Sequence, residues 1–502
     1  MLGGFLLLAV LATLAIGLFY EEEDARGAHE WSAAKASLQK AGESIDYNDL
    51  IPPEIPSDQN LGAIPLFQVE IDSKTDVGWQ ASAMKKALAN IAPNYDSLPK
   101  VGSWLKGEAT EMRLIDKYLA DRYTAVFSVG NGKLGPMEEF DALCPALTDL
   151  RHEAQTKTQC RFLRDYTTEP PYNRPLGPVT QLIKLTKIIN LHALVALHES
   201  KSDVALDDDL LVLKINTGVR REPLLVSGLV AAGSVSIQLG SIWEALGMHA
   251  LSDSQLAELQ QQLQRIDYLS DYQLCLRGEA TGFFVQTNDY MREHRRSASD
   301  VIFTIISPNN DPFAENNKPT FWGILTGWLL PNGWFDMAKA RGVTLYFRAA
   351  RSVVDTNAHL VYPEMTNGIK QQVDSLNRFY FPDLMLRIAA PPVIGSIEAF
   401  AQVQSRIDAA TIACALERYR LAHGSYPESL DKLSPYAPQG LPLDLMNGEP
   451  YHYKLLPDGN YLLYSVGWNQ IDDGGKVAYQ PGDSNVLDRE QGDWVWPNPK
   501  MK

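Results

Sequence analysis

Thr180 to His198 reads TQLIKLTKIINLHALVALH, and this stretch decides the class of fold. Apolar side chains recur at Leu182, Leu185, Ile188, Ile189 and Val195–Ala196, with His192 on the same stripe. That is the spacing of a helix with one face in a core. Working outward, Glu222-Pro223 introduces a second apolar helix, PLLVSGLVAAGSVSIQLGSIWEALG, with proline in its first turn. Then Ser252 or Asp253 caps QLAELQQQLQRIDYL. Helices of this length joined by short polar turns predict stacked helical hairpins over residues 69–390. No repeat of fixed period accompanies them.

The chain of 502 residues is long for a single core, so several units are expected. Its formal charge of −16, from 45 basic and 61 acidic residues, sets up a field that repels phosphate backbones. Nucleic acid is therefore not an expected partner. The dense basic cluster Arg292, His294, Arg295 and Arg296 is short enough to be a solvated face. The four cysteines form no CxxC pair and no zinc-finger set. Cys144 and Cys160 are placed to close a short loop or to remain two thiols.

The run LGGFLLLAVLATLAIGLFY (2–20) carries no charge. As a helix it spans about 28 Å, close to the thickness of a bilayer's hydrocarbon. It lacks a basic leading segment and an A-x-A cleavage site before the acidic EEED at 21–24. We therefore expect an uncleaved single-pass anchor, with the bulk of the chain on the far side of the membrane from its short N-terminal tail. Residues 21–68 read as a tether holding one short helix (His29 to Lys40) and then a proline-rich extended arm, IPPEIPSDQNLGAIP (51–65). FWGILTGWLLPNGWF (321–335) is too short to span and is broken by Pro331. AAPPV (389–393) reads as the end of the helical body.

Motifs for chemistry are few. GxSxG, HExxH, GxGxxG and Walker A patterns do not occur, and SVGNGKLG (128–135) lacks the frame of a phosphate loop. His192 and His198 are six apart, so they do not share a helical face as a metal pair would. Asp207-Asp208-Asp209 reads as a helix N-terminus, where carboxylates meet the positive end of the dipole. No catalytic constellation is expected; a hydrolase would need a site assembled within the helical body by the fold.

Near the C-terminus one helical stripe runs through Ile397, Phe400, Val403, Ile407, Ala410 and Cys414, and Gly424 stops it. Alternating YHYKLL and β-prone YLLYSV flank the turn PDGN, a hairpin pattern. YSVGWNQIDDGG (464–475) then sets two adjacent carboxylates on a glycine-rich reversal.

In order, residues 416–475 contain a helix end with tyrosine, HGSYP, ESLDKL, an Asn-Gly-Glu-Pro-Tyr turn, a hairpin ending in YSVG and an acidic loop. This set resembles the C-terminal region of the major pseudopilin of type II secretion systems. The wider chain also looks like uncharacterised bacterial membrane-anchored proteins, which implies a bacterial inner membrane as the site of the anchor and a periplasmic body. The resemblance implies a small α+β domain over 396–502 and a calcium site in the acidic loop. The matching positions are Asp472 and Asp473, with Asn469 and Ser465 beside them and backbone carbonyls completing the shell. It also implies envelope or secretion-system proteins as partners. Filament assembly is not implied: the matching helix is internal, and the N-terminus lacks the glutamate that follows a prepilin cleavage site.

The expected whole is a mainly α protein. It has a transmembrane anchor (1–20), a tether and arm (21–68), a helical-hairpin body (69–390) and a C-terminal pseudopilin-like α+β domain (396–502). Its expected role is interaction or scaffolding in the cell envelope.

Overall fold

The computed structural model describes residues 2–68, 82–94, 97–99, 102–128, 134–166, 178–295, 327–377 and 379–498. The chain is mainly helical, with a long apolar helix at its N-terminus. Along the chain run α1 (Leu2–Lys40), α2 (Ser82–Ala87), α3 (Met112–Phe127), α4 (Pro136–Leu143) and α5 (Pro145–Thr156). Then come α6 (Val179–His198), α7 (Ser202–Arg220), α8 (Leu225–Gly247), α9 (Asp253–Leu263), α10 (Tyr268–Gly278) and, after a π-helical turn, α11 (Gln286–Glu293). The last helices are α12 (Asn332–Val353), α13 (Pro363–Asp374) and α14 (Phe381–His423). Parts of 128–135 and 321–335, and Arg296, lie outside the described residues.

Helices α6, α7 and α8 pack on one another, as the opening pattern requires, and α14 lies across α8, α9, α10 and α12. Ser252 caps α9 and forms a reciprocal pair with Gln255. Pro223 falls before α8 rather than in its first turn, since the helix begins at Leu225. Asp207, Asp208 and Asp209 are not at a helix start. Helix α7 begins at Ser202, so Asp208 and Asp209 sit on its buried side. A dipole argument from local sequence could not see that turn of helix upstream.

Residues 21–40 form no loose tether. Helix α1 continues unbroken from the apolar run, and Glu23, Gly27, Ala34 and Leu38 make a buried stripe against α12. Gly27 and Gly333 meet backbone to backbone, so a β-carbon on Gly27 would lie 2.2 Å from the Gly333 carbonyl oxygen. Around this contact the Gly333 N–H donates to Asp24 at 2.7 Å, and the Trp334 indole donates to Glu23 at 2.7 Å. The arm beyond is not wholly surface-lying either. Leu61, Ile64 and Phe67 are buried, and Asn60 bridges to Gln159 and accepts the Arg161 N–H at 2.8 Å.

Pro391 and Pro392 do not interrupt the helix that carries them: α14 runs from Phe381 to His423. Gly424, at φ +81°, closes it in the left-handed conformation. Beyond it, β3 (His452–Leu455), β4 (Tyr461–Ser465) and β7 (Trp494–Trp496) form an antiparallel sheet in the order β3-β4-β7. Registers pair His452 with Tyr464 and Leu463 with Trp496. The PDGN hairpin forms as its turn residues dictate, and β4 and β7 rest on α14. A second hairpin pairs β5 (Val477–Gln480) with β6 (Asp483–Gly492). The two short strands nearer the N-terminus, β1 (Val354–Asp355) and β2 (Leu360–Val361), pair with each other and precede α13.

Among the described residues three helices are long and apolar enough to cross a membrane. They differ in what covers them. The apolar windows of α8 and α14 are 61% and 50% buried within the protein, whereas that of α1 is 0% buried. Phe5, Leu8 and Leu18 all lie bare, as suits a membrane anchor. All four cysteines are free and buried. Burial pushes the Cys144 thiol to about 11 and Cys160 to about 12, so neither is a ready thiolate.

Candidate functional site

The acidic loop after β4 is organised by two carboxylates that local pattern did not single out. Asp444 is fully buried and gathers the chain. It accepts from the Ser465 hydroxyl at 2.8 Å, the Val466 N–H at 2.9 Å and the Met446 N–H at 3.0 Å. Ser465 therefore turns into the interior, away from the loop. Asp493, also buried, accepts the N–H of Asp473 at 3.2 Å and that of Gly475 at 2.7 Å. Burial raises the pKa of both Asp444 and Asp493, with these donors opposing the shift.

Asp472 and Asp473 are engaged separately. Asp472 accepts from the Tyr464 hydroxyl and the Gly474 N–H, both at 2.9 Å. The Gly474 N–H and then the Tyr464 hydroxyl hold its pKa below the ordinary value. His452 stacks on Tyr464 and stands 3.7 Å from the same carboxylate. Asp473 accepts from the Asn469 amide at 3.2 Å. Among the described residues no three His, Cys, Asp or Glu side chains group to hold a metal. Asp472, Asp473 and Asn469 each accept a hydrogen bond within the reversal, and Ser465 donates to Asp444 instead. Adjacent carboxylates on a flexible turn are explained by the N–H and O–H groups they satisfy.

In the body, His192 is fully buried between α4 and α7. Its Nδ1 lies 2.5 Å from Asp208, its Nε2 lies 3.4 Å from Asp141, and Phe140 packs edge-on at 4.9 Å. Burial alone would lower the imidazole pKa, but Asp141 and Asp208 raise it to about 9. Arg151 stands 3.5 Å from the other Asp208 oxygen, so we place the shared proton on His192. Neighbouring Asp209 accepts from Gln238 and Ser241, each at 2.5 Å, and burial raises its pKa to about 7. These groups tie α4, α6, α7 and α8 together inside the helical stack, while His192 Nε2, Asp208 Oδ1 and Gln238 Oε1 make no hydrogen bond of their own. His198, by contrast, stays partly exposed on another face.

The feature suited to a ligand is a groove along α14 beneath the sheet. Ala413 and Glu417 line a cleft of about 540 Å³ that Trp243, His249, Tyr426, Tyr461 and Trp496 enclose. That volume lies in the range of small-molecule sites. Glu417 is buried and accepts from Arg420 at 2.6 Å and from Tyr426 at 3.0 Å, with His249 Nδ1 at 2.9 Å. His249 adopts the left-handed conformation at φ +53° to reach it. Among the described residues, the cleft lining holds no serine, threonine or cysteine. Trp496 also lines a second, smaller cavity farther back along α14.

Sequence reading missed the groove because its walls come from α8, α14 and β7, which are far apart in the chain. No family model matches the chain, and no curated protein or solved structure is significantly similar to it.

Proposed function

We propose that this chain is a membrane-anchored protein of the bacterial cell envelope, with its bulk outside the cytoplasm, that acts by binding partners rather than by catalysis. The observation that carries this reading is the two-part character of α1. Its first half is apolar and bare, and its second half is locked into the body at Gly27 and Gly333. A helix of this kind mounts the body rigidly at the bilayer surface instead of letting it swing on a linker. Extraction of membranes with alkaline carbonate tests the anchor, and protease added to intact spheroplasts tests the side. Release into the soluble fraction, or full protection of the body in spheroplasts, would sink the reading.

A second reading concerns the C-terminal unit. An amphipathic helix under an antiparallel hairpin, followed by an acidic reversal, is the arrangement that the pseudopilin resemblance implies. It supports a role as an accessory of a type II secretion or pilus-like system. A photo-reactive group at exposed Tyr479 should then cross-link to a pseudopilin in cells that make one. Cross-links confined to unrelated proteins would count against it.

A further inference from the structure

Arg406 stands on α14 at the smaller cavity, which holds about 30 Å³ between the helix and strands β5 to β7. That is room for on the order of two waters. The side chain is half-buried, with the Trp104 ring 5.9 Å from its guanidinium. It makes one hydrogen bond, from Nη1 to the Ser236 hydroxyl at 3.0 Å. Among the described residues no carboxylate comes within 4.0 Å of it. Several other arginines set into this protein are paired with acids, such as Arg164 with Glu222, Arg277 with Glu43 and Arg341 with Asp383, while Arg387 donates to three carbonyls. A guanidinium has five N–H donors, and one withdrawn from bulk water without an anion is costly.

The surroundings narrow what could complete it. Gln402 and Ser405 lie on the same stripe of α14 and line the same space, and Gln402 is buried. Asp488 and Asp493 form part of the far wall. Two acids in the lining make a second negative charge costlier than a first, so a monoanion suits the space better than a dianion such as phosphate. Planar, bidentate recognition is also what a guanidinium does best. We propose that the cavity is a binding site for a monoanionic carboxylate: Arg406 pairs with the carboxylate, and Gln402 and Ser405 flank it.

The test compares thermal melting of the full chain in detergent in sodium chloride, formate, acetate and phosphate at equal ionic strength. Formate and acetate should raise the melting temperature of the wild type by a few degrees over chloride, and phosphate should not. Arg406→Met should melt at or above the wild type in chloride, because it removes an unpaired charge, and should lose the response to formate and acetate. Gln402→Leu, which leaves Arg406 in place, should weaken that response. An equal rise in the wild type and in Arg406→Met would reduce the effect to general salt action and overturn the proposal. So would identical melting of the wild type in chloride, formate and acetate. An Arg406→Met chain that melts well below the wild type in chloride would make Arg406 a structural group, with the same consequence.

Discussion

Gly27 and Gly333 are in backbone contact, with no space for a β-carbon on either residue. This crossing turns an apolar anchor into a fixed mount, since α1 can approach α12 closely only where both side chains are absent. Gly27→Val should force the helices apart and cost about 1–3 kcal/mol, as overpacking a tight interface does. Thermal melting in detergent measures the loss. Limited proteolysis should show new cuts between residues 21 and 40. Unchanged melting and protection would mean the crossing is not tight.

The His192–Asp208 pair should behave as a buried ion pair. Asp208→Asn leaves His192 and Arg151 facing a neutral amide, and breaking such a pair costs about 3–5 kcal/mol. The folded-state pKa of His192, about 9, exceeds its ordinary value of 6.5. Its stabilising contribution is therefore complete below about pH 6.5 and lost as pH rises through about 9. Melting temperature followed from pH 6 to 10 should fall across this window in the wild type and fall less in Asp208→Asn.

Asp209 works with the opposite economy of charge. Burial lifts its pKa from 3.8 to about 7, so the ionised carboxylate is disfavoured in the folded protein. Stability from this site falls as pH rises from about 4 to about 7, then levels off. Asn keeps an acceptor for Gln238 and Ser241 without the charge. Asp209→Asn should melt higher than the wild type at pH 8, and the two should converge near pH 4. A variant less stable at pH 8 would show that the carboxylate is needed as an anion.

The loop at 472–475 is closed by its own hydrogen bonds. Wild-type melting should therefore be equal in calcium and in chelator. Asp493→Ala should destabilise the C-terminal sheet more than Asp472→Ala, because each loses two hydrogen bonds but only Asp493 is buried, so water cannot replace it as an acceptor there. Calorimetry in both buffers reads this directly, and a rise in calcium that Asp472→Ala abolishes would restore the metal.

Local pattern settled a good deal of this protein. The uncharged run 2–20, the apolar stripe of 180–198, the capping box at Ser252, the stop at Gly424 and the PDGN hairpin all follow from residues within a turn or two of each other. Periodicity, caps and turn chemistry act over that range. What tertiary structure decided depends on partners far away in sequence. Pro391 and Pro392 stay helical within α14, which packs on several other helices; propensity alone favours a break. Residues 21–40 dock because Gly333, some 300 positions later, offers a surface without side chains. Asp208 and Asp209 became buried ties because His192, Gln238 and Ser241 came to meet them. Asp444 and Asp493, not the conspicuous Asp472 and Asp473, organise the acidic loop. A carboxylate's role is set by which donors surround it, and only the packed chain supplies those donors.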